Sequence, residues 1–177
     1  MSQMRTSLLI ILLLTALGGA APCVFAEVGS PSQIQRIRAF LGAEEYVATA
    51  EDLHRIGPEV PALLIQIIQD RGQAIGYRAR ATFFLRYYQD DPIVATFLSR
   101  LIESPDQPQI LLRRGLVALA HVSKEKSIPA ISPHLKSKDV LVRRAAAHAL
   151  AETGDINTVQ ILYDAAGREG DPFLRKK

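Results

Sequence analysis

Apolar residues recur along this chain at the spacing of a helix stripe. Val142, Ala146, Ala149, Leu150 and Thr153 fall at i, i+4, i+7, i+8 and i+11, one face of a 3.6-residue helix. Leu111, Gly115, Ala118, Leu119 and Val122 repeat the stripe, as do Tyr77, Ala81, Phe84, Leu85 and Tyr88. A first, degenerate copy keeps Tyr46, Ala50 and Leu53. The first-helix leucines Leu53, Leu85, Leu119 and Leu150 are separated by 32, 34 and 31 residues. A second ladder, Val60/Leu63, Val94/Phe97, Ile128/Ile131 and Val159/Leu162, is separated by 34, 34 and 31. Two ladders with nearly one period identify a repeated helix pair.

The breaks between paired helices agree with that period. They are Gly57-Pro58, Asp90-Asp91-Pro92, Ser123-Lys124 and Gly154-Asp155. Asp before Pro suits a helix N-cap with Pro in the first turn, and Asp139 suits the cap of the helix bearing Arg143. Gln33, Ile34, Ile37, Phe40 and Leu41 predict one more helix ahead of the first pair, and no alternating β-branched run predicts a strand. The expected fold is all-α, a right-handed α-solenoid of about four helix hairpins. Their expected intervals are about 44–70, 75–104, 109–137 and 139–168, with a partial fifth copy or cap at 171–177. One isolated hairpin cannot bury its apolar face, so such units stack and bury it against their neighbours.

The run Val142-Arg143-Arg144-Ala145-Ala146, with Ala149-Leu150, Gly154-Asp155, Val159 and Leu162, resembles a HEAT-like repeat of the phycobilisome-lyase type. The resemblance covers roughly residues 44–170, more loosely in the copies at 75–104 and 109–137. It implies modules that bind protein partners along a concave face. It also implies that Arg78, Arg113 and Arg143, with the turn residue Asp155, tie adjacent repeats together. The second copy has Asp90 and Asp91 at the turn and the third has Ser123 and Lys124, so the implied Asp–Arg ladder is broken.

The first 26 residues read as an address. Arg5 is their only charge, Leu8–Leu17 is apolar, and Val24-Phe25-Ala26 offers a cut before Glu27, as in a secretory signal peptide. Two alternatives remain open. One is an uncleaved anchor over the uncharged stretch Ser7–Ala26, and the other is acylation at Cys23 behind a poor lipobox, Ala20-Ala21-Pro22. Each places the folded part outside the cytoplasm, periplasmic or secreted.

Composition narrows the function classes. The chain carries 21 Lys and Arg against 18 Asp and Glu, and residues 27–177 carry 20 against 18, too even for wrapping nucleic acid. The single Cys excludes a disulfide framework. His54, His121, His134 and His148 form no His-Glu pair and no i, i+4 His pair, so no metal site is expected. There is no activated Ser motif, and Gly72–Gly76 lacks the third glycine and the strand of a phosphate loop. Catalysis and a cofactor are therefore not expected. Bilin attachment, which the resemblance suggests, is cytoplasmic work by longer chains acting in pairs, and does not suit an exported array.

Interaction surfaces remain. Arg80, Phe83 and Tyr87 form a stripe at i, i+3, i+7 beside the core stripe, and Arg with aromatic residues is a common interface anchor. Residues 27–105 hold 8 basic and 10 acidic groups and residues 106–177 hold 12 and 8, so the far end is basic. The expected function is a non-catalytic scaffold or adaptor of the periplasm or cell envelope. A structural spacer and a lyase-related accessory are the alternatives. The expected partner is a protein of unknown identity, with self-association through an open C-terminal end as a further route. Nucleic acid is not expected, and membrane contact only through a retained leader or an acylated Cys23.

Overall fold

A computed structural model of the chain describes residues 29–43 and 45–170. The expected leader at 1–26 with Cys23, and the partial fifth copy at 171–177, lie outside the described residues. Helix α1 spans Pro31–Gly42, α2 Ala50–His54, α3 Val60–Gln69, α4 Ile75–Phe84, α5 Pro92–Glu103, α6 Gln109–Ser123, α7 Ile128–Ile131, α8 Val140–Glu152 and α9 Asn157–Arg168. Short 3₁₀ segments extend α4 over Leu85–Tyr87 and flank α7 at Lys124–Ser127 and Ser132–Lys136. No strand occurs among the described residues.

The caps explain where several helices begin. Asp91 Oδ1 accepts from the amides of Ile93 and Val94 at 2.8 and 3.1 Å, with Pro92 opening α5. Asp139 does the same for Leu141 and Val142 at the start of α8. Ser30 with Gln33, and Thr49 with Asp52, close reciprocal capping boxes on α1 and α2. Each cap satisfies amides that the first helical turn leaves without a carbonyl partner.

The helices stack as an α-solenoid, each pair packing on the next. α6 lies against α4, α5 and α8, and α3 lies against α4. Leu53, Leu85, Leu119 and Leu150 are all at most 1% exposed. They join one core cluster running from Ile37 to Leu150. At roughly 1.5–3 kcal/mol for each fully buried aliphatic side chain, this ladder is a main source of stability.

Two positions depart from the stripe. Tyr46 is 48% exposed, because α2 begins only at Ala50 and Tyr46 precedes its cap. Its hydroxyl instead donates to Asp52. Val159 is 58% exposed although the ladder spacing predicts burial. Ile156, which precedes the first residue of α9, forms an exposed apolar stripe with Val159 and Tyr163 of that helix.

One glycine is required by packing. A Cβ at Gly115 would lie 3.0 Å from Ile102 Cγ2 and 3.1 Å from Leu101 Cδ2, so its absence lets α6 approach α5 closely.

Candidate protein-binding surfaces

The first-helix face holds the stripe read from the sequence. Phe83 and Tyr87 are half-buried and pack against the core, with ring centroids 6.2 Å apart edge to face. The Arg86 and Arg114 guanidinium groups lie 5.0 and 5.4 Å from the Phe83 ring centroid. Such stacking is favourable because the ring face is electron-rich. Arg80 reaches back to the α1–α2 connection, where its terminal nitrogens donate to the carbonyls of Ala43 and Tyr46. Its charge therefore fastens the second helix pair to the first, leaving Arg114 as an exposed cation beside Phe83.

A polar row continues across the same face. Arg86 hydrogen-bonds the His121 ring, and His121 Nε2 lies 3.5 Å from Glu152 Oε2. His148 Nε2 lies 3.6 Å from the other Glu152 oxygen. Burial, and then the Arg86 charge, hold the His121 pKa below the ordinary value of 6.5, with Glu152 opposing. A neutral imidazole can accept from Arg86, whereas a protonated one would meet a like charge.

The arginines expected between repeats behave in three ways. Arg78 Nε donates at 2.8 Å to the carbonyl of Ile68, near the end of α3, and so joins neighbouring pairs. Arg143 sits at the equivalent place relative to Leu150 and reaches back to the carbonyls of Ser137 and Lys138 at 3.0 and 3.2 Å. It also grips Glu169 with two bonds of 2.8 Å, fastening α8 to the end of α9. Arg113 is one residue out of this register, which Leu112 fills, and its Nε donates to Gln109 in its own helix at 3.4 Å. Asp155 accepts from Asn157 at the entry to α9 instead of pairing with an arginine strut.

The second helices form another surface, one that the first-helix stripes did not reveal. A groove of about 780 Å³ lies between α3 and α5. Ile65, Ile93 and Phe97 supply its apolar part, and Arg71, Arg78 and Arg100 its charge. No Asp or Glu lines it. A second cavity, also about 780 Å³, lies between α6, α8 and α9 and is lined by Arg113, Arg114, Leu141, Arg144 and Leu162 among others.

Residues 94–177 match the family model described as HEAT repeats. This segment is HEAT-like. It runs from Val94, in the first turn of α5, through α9, so the HEAT-like stretch takes in the α5–α6 contact at Gly115, the Arg143–Glu169 clamp and the exposed face of α9. No curated protein matches the chain. Among the described residues there is no group of three or more His, Cys, Asp or Glu placed to hold a metal ion. No helix among them is long and apolar enough to cross a membrane.

Proposed function

We propose that the chain is an exported, non-catalytic adaptor of the periplasm or cell envelope that binds a protein partner along its helix-pair array. The HEAT-repeat match over 94–177 carries this reading, because such arrays commonly serve as protein-interaction scaffolds. Exposed arginines beside apolar and aromatic side chains on both helix faces support it. The run Leu8–Leu17 and the cut site before Glu27 support export. The exposed stripe Ile156, Val159 and Tyr163 supports self-association through α9 as a second contact.

The test is a crosslinked pull-down of the tagged protein from the envelope fraction, with mass spectrometry of bait and prey. A reproducible prey, with a bait starting at Glu27 or at an acylated Cys23, is the expected result. A bait confined to the cytoplasm, or no prey above a tag-only control, overturns the adaptor reading. Sedimentation of wild type and Val159→Lys examines the α9 contact separately. Identical monomers across all concentrations exclude self-association.

A further inference from the structure

The α3–α5 groove joins two properties that a partner must satisfy together. Ile65 and Phe97 are half-buried, and Ile93 is 70% exposed. Arg71 and Arg100 are exposed and form no ion pair among the described residues. Arg78 uses its Nε on Ile68 and lines the groove as well. Three cations and no carboxylate line the groove, and the nearby carboxylate of Asp70, at the end of α3, offsets part of the Arg78 charge only.

The cations are also all of one type. Between 27 and 105 there are eight Arg and no Lys, and the first Lys of the chain is Lys124. Guanidinium forks bind planar carboxylates through two parallel bonds, which an ammonium cannot do. They are also more weakly hydrated, so they lose less on entering an apolar cleft.

We propose that this groove binds an acidic peptide segment of the partner, one that alternates Asp or Glu with large apolar side chains. The inference rests on the adaptor reading above and specifies the chemistry the partner presents. Apolar side chains of the segment cover Ile65, Ile93 and Phe97, while its carboxylates meet Arg71, Arg78 and Arg100. A peptide fits better than an anionic bilayer because a flat lipid surface engages protruding cations. Here the arginines belong to a cleft between two helices that also presents apolar side chains.

The experiment is fluorescence anisotropy of the purified chain with a labelled peptide of alternating Glu and Leu around a central Phe. The same peptide with Lys for Glu is the control. The expected result is saturable binding of the acidic peptide alone, weakened by salt. Arg71→Glu/Arg100→Glu should weaken it by at least about tenfold. Lys126→Glu, at an exposed position in the 3₁₀ segment after α6 and outside the groove lining, should leave it within about twofold. Phe97→Ala, with helicity checked by circular dichroism, should weaken binding as well.

Absent saturation, equal binding of both peptides, or an unchanged double variant each overturns the proposal. So does cosedimentation with phosphatidylglycerol vesicles that needs Arg71 and Arg100 when the acidic peptide does not bind, which assigns the groove to a membrane. An envelope prey that the double variant still captures overturns the groove proposal and leaves the adaptor reading standing. Failure to capture any prey with wild type overturns the adaptor reading instead.

Discussion

The Nε of Arg78, on α4, donates at 2.8 Å to the carbonyl of Ile68, the penultimate residue of α3. The bond crosses the junction between two helix pairs and satisfies a carbonyl near a helix end, where intrahelical partners run out. Hydrogen bonds involving a charged group contribute about 1.5–3 kcal/mol. Arg78→Ala should therefore lower stability by about 1.5–3 kcal/mol, measured by urea unfolding. Arg78→Lys should recover only part of it, because an ammonium cannot reproduce the Nε geometry. An alanine variant as stable as wild type would show that the bond is replaced by water at no cost.

Two glycines inside helices should respond in opposite ways. Around Gly76 in α4 nothing lies within 4 Å of an added Cβ, so Gly76→Ala should stabilise by about 0.5–1 kcal/mol through helix propensity. At Gly115 the same gain is offset by crowding against Ile102 and Leu101, and Gly115→Val should cost about 1–3 kcal/mol. Thermal unfolding of both variants checks the contrast. A stabilising Gly115→Val would mean that α5 and α6 separate freely.

Tyr88 packs its ring edge-on against His54, with centroids 5.3 Å apart. Its buried hydroxyl has no hydrogen-bond partner among the described residues. Burial, and then the charge of Asp91, raise its pKa, so the hydroxyl stays protonated at any working pH. An unsatisfied buried polar group costs about 1–3 kcal/mol, and Tyr88→Phe should remove part of that cost and raise the midpoint of unfolding. A lower midpoint would reveal a partner for the hydroxyl in solution.

Acid should loosen the array before the carboxylates titrate. The folded pKa values of His121 and His134 lie below 6.5, in each case chiefly because burial disfavours the cation. The unfolded chain therefore binds these protons first. Stability is fully present above about pH 6.5 and is lost as pH falls from there through the folded values. His121→Gln/His134→Gln should flatten the decline of unfolding temperature between about pH 7.5 and 5.5. An equally steep decline in the double variant would place the sensitivity elsewhere. Asp52 acts only in stronger acid. The Tyr46 hydroxyl, followed by Thr49, holds its pKa at about 2, so its contribution fades below the ordinary carboxylate value of 3.8.

The core was legible in the sequence because burial in stacked helices imposes a 3.6-residue period. Leu53, Leu85, Leu119 and Leu150 obey it and are buried. Tyr46 misled because a stripe cannot say where a helix starts, whereas the Thr49–Asp52 capping box does. Val159 misled because periodicity reports the face a helix offers and not whether a neighbour covers it. The HEAT-like resemblance groups Arg113 with Arg78 and Arg143. Counting from the leucines puts it one position off, a correction the sequence already held. The α3–α5 groove was not legible in the same way, since it depends on the spacing of two helices more than twenty residues apart. Its signal was the apolar pattern Val94, Phe97 and Leu98 with Arg100 facing away from the core.

Asp90 holds a left-handed backbone, with φ of 58°, and its amide donates at 3.0 Å to the carbonyl of Val122 at the end of α6. The turn that closes the second pair is thus hydrogen-bonded to the third, whose His121 also meets Arg86. Neither pair can open without breaking a bond that belongs to the other. In native-state hydrogen exchange the two should behave as one foldon, with slow amides sharing a single opening free energy, while α9 exchanges ahead of them.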